Sequence, residues 1–239
     1  MKINLKNYLE ERERLMAHQS ETGPFITLSR SYGCDEESVI KSLIQKLNKL
    51  GSGGFKSHPW RYIDKEILEE SAHELGMTSL DVDHRIQLHH ADVVNDLLSV
   101  FNHHYHLPDK KIIDKVKDII CTYAKKGNVI IVGRGGIGVT RKLPNSLHIK
   151  LNAPLEHRIQ VVSEVKKISA TEAEKLIHKT DHSRKLWAEH LIDKAIDTSI
   201  FDLIFNMEST SVDEITDMII AVLQKRALVP AELVTQEHH

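Results

Sequence analysis

Arginine and glycine residues follow two short apolar stretches of the sequence. The stretch that begins at Phe25 leads into SRSYGCDEES (residues 29–38), and NVIIV (residues 128–132) leads into GRGG (residues 133–136). An arginine guanidinium can bind a phosphate through two parallel hydrogen bonds and does not lose its charge. Flanking glycines let a ligand or another loop approach closely. The second stretch therefore indicates phosphate binding by Arg134, with an ion pair to a neighbouring carboxylate as the alternative.

The first stretch has the position of a phosphate-binding loop but only part of its chemistry. Such a loop uses glycine amides and a helix N-terminus, whereas residues 29–38 contain Gly33 alone, no G-x-x-x-x-G-K-S/T pattern and three consecutive carboxylates at 35–37. Two charges about 4 Å apart interact by roughly 4 kcal/mol at an effective dielectric constant near 20. Carboxylates that face a triphosphate would therefore weaken its binding. Alternatively, they stabilise the start of the next helix through its dipole and point into solvent.

Further charges follow later in the chain. Asp181 and Arg184 are three residues apart in a predicted helix, so they share one face and could pair with each other. Arg158, Lys166 and Lys167 add positive charge on the preceding segment. Taken by themselves, these residues are interpreted as a solvated surface.

The 16 histidines include the pairs at 89–90 and 103–104, with His106 close by. Neutral imidazole is a common zinc ligand. Adjacent side chains on a helix point about 100° apart, so neither pair chelates a metal well. We predict a polar, exposed segment there and no metal site.

Short apolar strands alternate with helices along the chain. This alternation predicts a parallel sheet covered on both faces, in which ligands bind beyond the carboxyl ends of the strands. Ser-x-x-Glu capping boxes begin two of the helices, at Ser169 and Ser211. The predicted strands are 25–29, 61–63, 128–132, 146–151 and 200–205.

Composition excludes several classes of protein. Apolar residues make up 41% and charged residues 28%, which is typical of a folded globular chain. The formal net charge of −2 gives no overall field for nucleic acid, and no apolar run is long enough to span a bilayer. Two cysteines do not form a disulfide framework. We therefore expect a cytoplasmic protein with neither a nucleic-acid nor a membrane partner.

Several stretches taken together resemble the cytidylate kinase-like branch of the P-loop nucleoside monophosphate kinases. The clearest is VIIVGRGGIGVTRKLPNSLHIKLNAPLEHRI (129–159), and FITLSRSYG (25–33) resembles the opening of the family. YIDKEILEE (62–70), the D-x-x-R of Asp181 and Arg184, and FDLIFN (201–206) match further elements in the same order.

The resemblance implies an α/β fold of three layers, with a five-stranded parallel sheet. It also implies a single domain over residues 24–226, with a helical NMP-binding insertion at about 64–127 and a lid at about 160–190. Residues 1–20 lie outside the resemblance, and their amphipathic pattern predicts a helix in an N-terminal arm (1–23). This helix is either a homo-oligomer contact or a loosely packed arm, and residues 227–239 would form a tail. The implied reaction moves the γ-phosphoryl group of ATP to a nucleoside monophosphate, with CMP as the expected acceptor and Mg²⁺ with ATP as the expected cofactor.

The family's functional residues carry over by position. Arg134, Asp181 and Arg184 would act on the transferring group. The expected contacts to the nucleotide are Ser29, Arg30, Gly33, Ser38 and Arg158. The expected contacts to the acceptor are Asp64, Lys65, Gly133 and again Arg134. Two departures favour an alternative, a catalytically degenerate nucleotide-binding or scaffold protein. The loop lacks the family's G-S-G-G and any lysine, and Gly135 replaces an aspartate.

Overall fold

The fold is built on five parallel strands. The computed structural model describes residues 23–50, 58–64, 66–74, 110–192 and 195–231. The strands are β1 (Phe25–Arg30), β2 (Arg61–Ile63), β3 (Val129–Val132), β4 (Ser146–Asn152) and β5 (Leu203–Asn206). They pair in the order β2-β3-β1-β4-β5, and every pairing is parallel, which confirms the predicted sheet.

Helices connect the strands. They are α1 (Glu36–Lys49), α2 (Glu66–Glu74), α3 (Lys110–Lys126), α4 (Gly136–Thr140), α5 (Leu155–Lys166), α6 (Ala170–Ile192) and α7 (Val212–Lys225). Both predicted capping boxes are present: Ser169 exchanges hydrogen bonds with Glu172, and Ser211 does so with Glu214. The sequence did not predict α4, because a helix of five residues is too short to show a periodicity.

The predicted strand at 200–205 is wrong at its first three residues. Thr198–Ile200 form a turn of 3-10 helix, and the Asp197 side chain accepts a hydrogen bond from the Ser199 N–H. The apolar run therefore enters the sheet only at Leu203. The predictions for residues 1–20, Lys65, the histidine pairs and the end of the tail lie outside the described residues.

The two faces of the sheet pack in separate hydrophobic clusters, so the fold has three layers. One cluster joins Leu28 and Ile149 to α1 and α7, and the other joins Phe25 and Ile131 to α3 and α6. Strands that are buried on both faces consist of nearly continuous apolar runs, as Val129–Val132 does. The fold class is the predicted one.

His148 on β4 makes stability dependent on pH. Its side chain is 5% exposed, Nδ1 lies 2.8 Å from the Thr27 hydroxyl, and Nε2 has no hydrogen-bond partner in the described part of the chain. Burial lowers the pKa of His148, although the nearby Asp202 carboxylate opposes this shift. The unfolded pKa is about 6.5, so His148 contributes stability above that value. This contribution is lost as the pH falls through the unfolded pKa toward the folded one.

We therefore expect the free energy of unfolding to fall between pH 7 and pH 5, and to fall less in His148→Asn, which keeps an acceptor for Thr27. Urea denaturation of both proteins at the two pH values measures the difference. Equal losses of stability would contradict the assignment to His148.

Candidate functional site

A cleft of about 1050 Å³ lies between the sheet and α6, where β1 and β3 end. Open α/β sheets bind their ligands at such a position. Six of the predicted site residues line this cleft: Ser29, Arg30, Gly133, Arg134, Asp181 and Arg184. Gly33, Ser38 and Arg158 do not line it, and Asp64 reaches it through ion pairs with two of the lining arginines.

Asp64 lies between Arg30 and Arg134. The Nε of Arg134 donates to one Asp64 carboxylate oxygen at 3.1 Å, and Arg30 Nη2 is 3.6 Å from the other. Arg30 also donates from Nε to Glu36 at 3.0 Å. The ion pair that was the alternative interpretation of Arg134 is thus present, and the same arginine lines the cleft.

The GRGG stretch has a backbone that requires glycine. Gly133, Arg134 and Gly135 all have positive φ, at 64°, 51° and 73°. A Cβ on Gly133 would lie 2.1 Å from Arg30 Nη1, and one on Gly135 would lie 2.1 Å from Leu191 Cδ1. The glycines therefore make room for the Arg30 guanidinium and for α6. A positive φ at a non-glycine residue such as Arg134 is uncommon, and such strain is often found at functional sites.

Asp181 attaches α6 to the loop after β1. One carboxylate oxygen accepts the Tyr32 backbone N–H at 2.7 Å, and the other accepts from Arg158 Nη1 at 2.7 Å. Arg158 also donates to the carbonyls of Ala153 and Tyr32. The Asp181–Arg184 pair that the spacing suggested is not formed; Asp181 pairs with Arg158 instead.

Arg184 is held without a carboxylate within 4.0 Å, as far as the described residues go. Its Nη1 donates to the Arg30 carbonyl at 3.3 Å, and its guanidinium lies 5.5 Å from the centre of the Tyr32 ring. Burial lowers the pKa of Arg184, and the positive charge of Arg30 lowers it further. An anion in the cleft would relieve both effects, so Arg184 is well placed to bind phosphate.

The carboxylates at 35–37 do not line the cleft. Asp35 accepts the Ser38 N–H at 3.1 Å and caps α1, Glu36 pairs with Arg30, and the exposed Glu37 pairs with Lys41. The interpretation that they stabilise the helix start is confirmed for Asp35. Ser38 hydrogen-bonds to Asp35 rather than facing the cleft.

Three backbone amides in the loop are already bonded to protein acceptors. The N–H groups of Ser31, Tyr32 and Cys34 bind the Leu151 carbonyl, the Asp181 carboxylate and the Ser31 carbonyl. Burial raises the pKa of the Cys34 thiol to about 11, so this thiol stays protonated at neutral pH. Phosphate in this cleft would consequently be bound mainly by side-chain cations.

Sequence reasoning missed Lys150 and Phe201, which also line the cleft. Leu147, Ile149 and Leu151 belong to the cluster under α1 and α7. The alternation of side chains along a strand therefore turns Lys150 to the α6 face. The sequence LHIKL (147–151) contains this alternation of apolar and polar residues.

The parallel α/β fold and the arginine-lined cleft define a kinase-like protein. The model of the cytidylate kinase-like family matches residues 25–209, and the chain belongs to this family. The family supports a kinase-like transferase that binds nucleotides. A comparison with curated proteins finds no match.

Several solved structures are similar to this chain, and the first of the following three shares its fold. An uncharacterized protein from Eubacterium ventriosum is 20% identical with a TM-score of 0.59, over 85% of this chain and 99% of that chain. A shikimate kinase from Bacteroides thetaiotaomicron is 13% identical with a TM-score of 0.47, over 84% and 98%. A dephospho-CoA kinase from Campylobacter jejuni is 13% identical with a TM-score of 0.32, over 87% and 99%.

Two features of the described residues bear on membranes and metals. None of the helices found there combines the length and apolar character of a membrane span. No group of three or more His, Cys, Asp or Glu side chains in these residues could hold a metal ion.

Proposed function

We propose that the protein is a cytidylate kinase-like phosphotransferase that moves the γ-phosphoryl group of ATP to a nucleoside monophosphate, with CMP as the expected acceptor. The observation that carries this proposal is the convergence of Arg30, Arg134 and Arg184 on one cleft at the ends of parallel strands. Membership of the kinase-like family supports it.

The reaction requires positioning and neutralisation of charge rather than covalent chemistry by the protein. An oxygen of the acceptor phosphate attacks the γ-phosphorus, the bond to the oxygen that bridges the β- and γ-phosphates breaks, and ADP leaves. Arg134 would bind the acceptor phosphate, exchanging part of its contact with Asp64 for a phosphate oxygen. Arg184 would neutralise the transferring group, and Asp181 would orient α6 through Arg158 and Tyr32.

Mg²⁺ with ATP is the cofactor that the family suggests. The carboxylates at the cleft are engaged: Asp64 with two arginines, Asp181 with Arg158 and the Tyr32 N–H, and Asp197 with the Ser199 N–H. Direct ligation of a metal by any of them would displace these contacts, so the carboxylates do not fit the role of ligand. Mg²⁺ commonly keeps several waters and binds phosphates. We therefore assign any Mg²⁺ to the nucleotide phosphates.

The domain and assembly predictions remain part of this proposal. They comprise a domain at 24–226, an NMP-binding insertion at about 64–127 and a lid at about 160–190. A homo-oligomer through residues 1–20 and a cytoplasmic location belong to the same proposal. An unchanged mass in solution after deletion of residues 1–20 would contradict the oligomer.

A second candidate is a catalytically degenerate member that binds nucleotide or acts as a scaffold. The bonded amides of Ser31, Tyr32 and Cys34 favour it, because they are not free to cradle a phosphate. This candidate predicts no phosphoryl transfer to any common monophosphate, with nucleotide binding retained.

Arg134→Ala tests the first candidate. Loss of one preorganised cation at the reacting group lowers turnover by roughly 100-fold or more, so we expect a drop of about that size without loss of folding. Initial rates with ATP and CMP measure it, and Arg141→Ala is the control because Arg141 is exposed and lies outside the cleft. Unchanged turnover in Arg134→Ala would overturn the role of Arg134. No transfer by the wild-type protein would favour the second candidate.

A further inference from the structure

Residues 29–38 contain no lysine, although a lysine is the usual point charge that contacts the phosphates in such a loop. We propose that Lys150 supplies this cation from β4, and that its ammonium contacts the polyphosphate of a nucleoside triphosphate bound in the cleft. The inference rests on the proposed function for its ligand, because it assigns a residue to the donor nucleotide.

Lys150 lies beside the start of the loop on the correct face of the sheet. It is paired in register with Ser29 of β1. Residues paired in register on parallel neighbouring strands project to the same face, and both residues line the cleft. The arginines Arg30 and Arg184 line the same cleft. A phosphate chain bound there would therefore lie among cations from β1, β4 and α6.

The ammonium of Lys150 is not committed to a carboxylate. No Asp or Glu oxygen lies within 4.0 Å of it in the described part of the chain, and its Nζ lies 5.6 Å from the centre of the Phe201 ring. Such a contact contributes little at an exposed site. A phosphate oxygen in a partly enclosed cleft is the stronger partner.

Asp197, an acidic side chain of the cleft lining, is already engaged in the protein. Asp197 accepts the Ser199 N–H at 2.6 Å and caps the turn before β5. Ile204 is half-exposed and is paired in register with Lys150. Together with the Phe201 ring it gives the stem of Lys150 an apolar surface on which to lie. The flexible four-carbon stem lets the ammonium leave the ring and reach a ligand while the strand stays in place.

Calorimetric titration of the full chain with pyrophosphate, with ATP and with CMP tests the assignment. Lys150→Met keeps the length of the side chain and removes the charge, so we expect Kd for ATP and for pyrophosphate to rise about tenfold or more. Kd for CMP should change less than twofold, and Lys150→Arg should retain most of the affinity. Lys142→Met, an exposed lysine outside the cleft, controls for net charge. Thermal unfolding of each variant shows that the fold is kept.

Three outcomes would overturn the inference. These are wild-type affinity of Lys150→Met for ATP and pyrophosphate, an equal loss of CMP binding, and a wild-type protein that binds neither ATP nor pyrophosphate. Phosphoryl transfer by the wild-type protein is measured separately. A protein that binds ATP but transfers nothing would contradict the proposed function, while the titrations would still decide the role of Lys150.

Discussion

Replacement of Arg184 by methionine is expected to lower kcat for phosphoryl transfer by about a thousandfold and to leave Tm unchanged or slightly higher. An arginine that stabilises the charge of the transferring phosphoryl group contributes roughly 10³ or more to kcat. The guanidinium of Arg184 is partly buried beside Arg30, and both effects lower its pKa, which means that the fold disfavours its charge. Methionine removes that charge and still packs against the Tyr32 ring.

Initial rates with ATP and CMP, together with thermal unfolding, measure both parts of this expectation. Lys175→Met is the control, because Lys175 lies on the same helix, is exposed and lies outside the cleft. Substitution of an exposed residue away from the site contributes little, so the control should keep wild-type turnover and Tm. Turnover of Arg184→Met within tenfold of wild type would exclude Arg184 from the reaction. A much lower Tm would instead show that Arg184 is a structural residue.

The sheet was predictable because its strands are local and strongly patterned. The run at 128–132 and the strand from Phe25 are apolar and bounded by glycine or proline, so their burial could be read from the sequence. The start of β5 could not be read in this way. Ile200 and Phe201 are as apolar as the strand that follows, and the 3-10 turn depends on the cap from Asp197.

The site was predictable where topology alone brings residues together. The carboxyl ends of β1 and β3 meet at one edge of a parallel sheet, which places Arg30 and Arg134 in one cleft. The cap of α1 by Asp35 was also predictable, because it involves residues three apart.

Long-range pairings were not predictable. Asp181 accepts a hydrogen bond from the backbone N–H of Tyr32, which is 149 residues earlier in the chain. The sequence instead suggested a pair with Arg184, because that residue is only three positions away. Lys150 was overlooked because a polar residue gives a weak signal in a strand whose other side chains are mostly buried, even where His148 and Lys150 alternate with apolar residues.

Replacement of Asp181 by asparagine is expected to lower the free energy of unfolding by about 2 kcal/mol and kcat/KM by about 100-fold. Breaking a buried ion pair costs roughly 3–5 kcal/mol. The effect here is smaller because the Asp181 side chain is 30% exposed, although that of Arg158 is only 12% exposed. Asparagine can still accept the Tyr32 N–H. Its NH₂ group would face the Arg158 guanidinium, and because both groups are hydrogen-bond donors, no hydrogen bond would form between them. Loss of this contact frees α6 from the loop and moves Arg184, one turn further along.

Urea denaturation and initial rates measure the two effects. Glu174→Gln is the control, since Glu174 lies on the same helix and its contact with the exposed His178 is 3.8 Å long. It should change stability by less than about 0.5 kcal/mol. Asp181→Ala separates the two contacts of the carboxylate, because it also removes the acceptor for Tyr32. A loss equal to that of Asp181→Asn would assign the stability to the pair with Arg158, and a larger one would assign part of it to the Tyr32 N–H. Wild-type stability in both variants would show that Asp181 does not hold α6 against the loop.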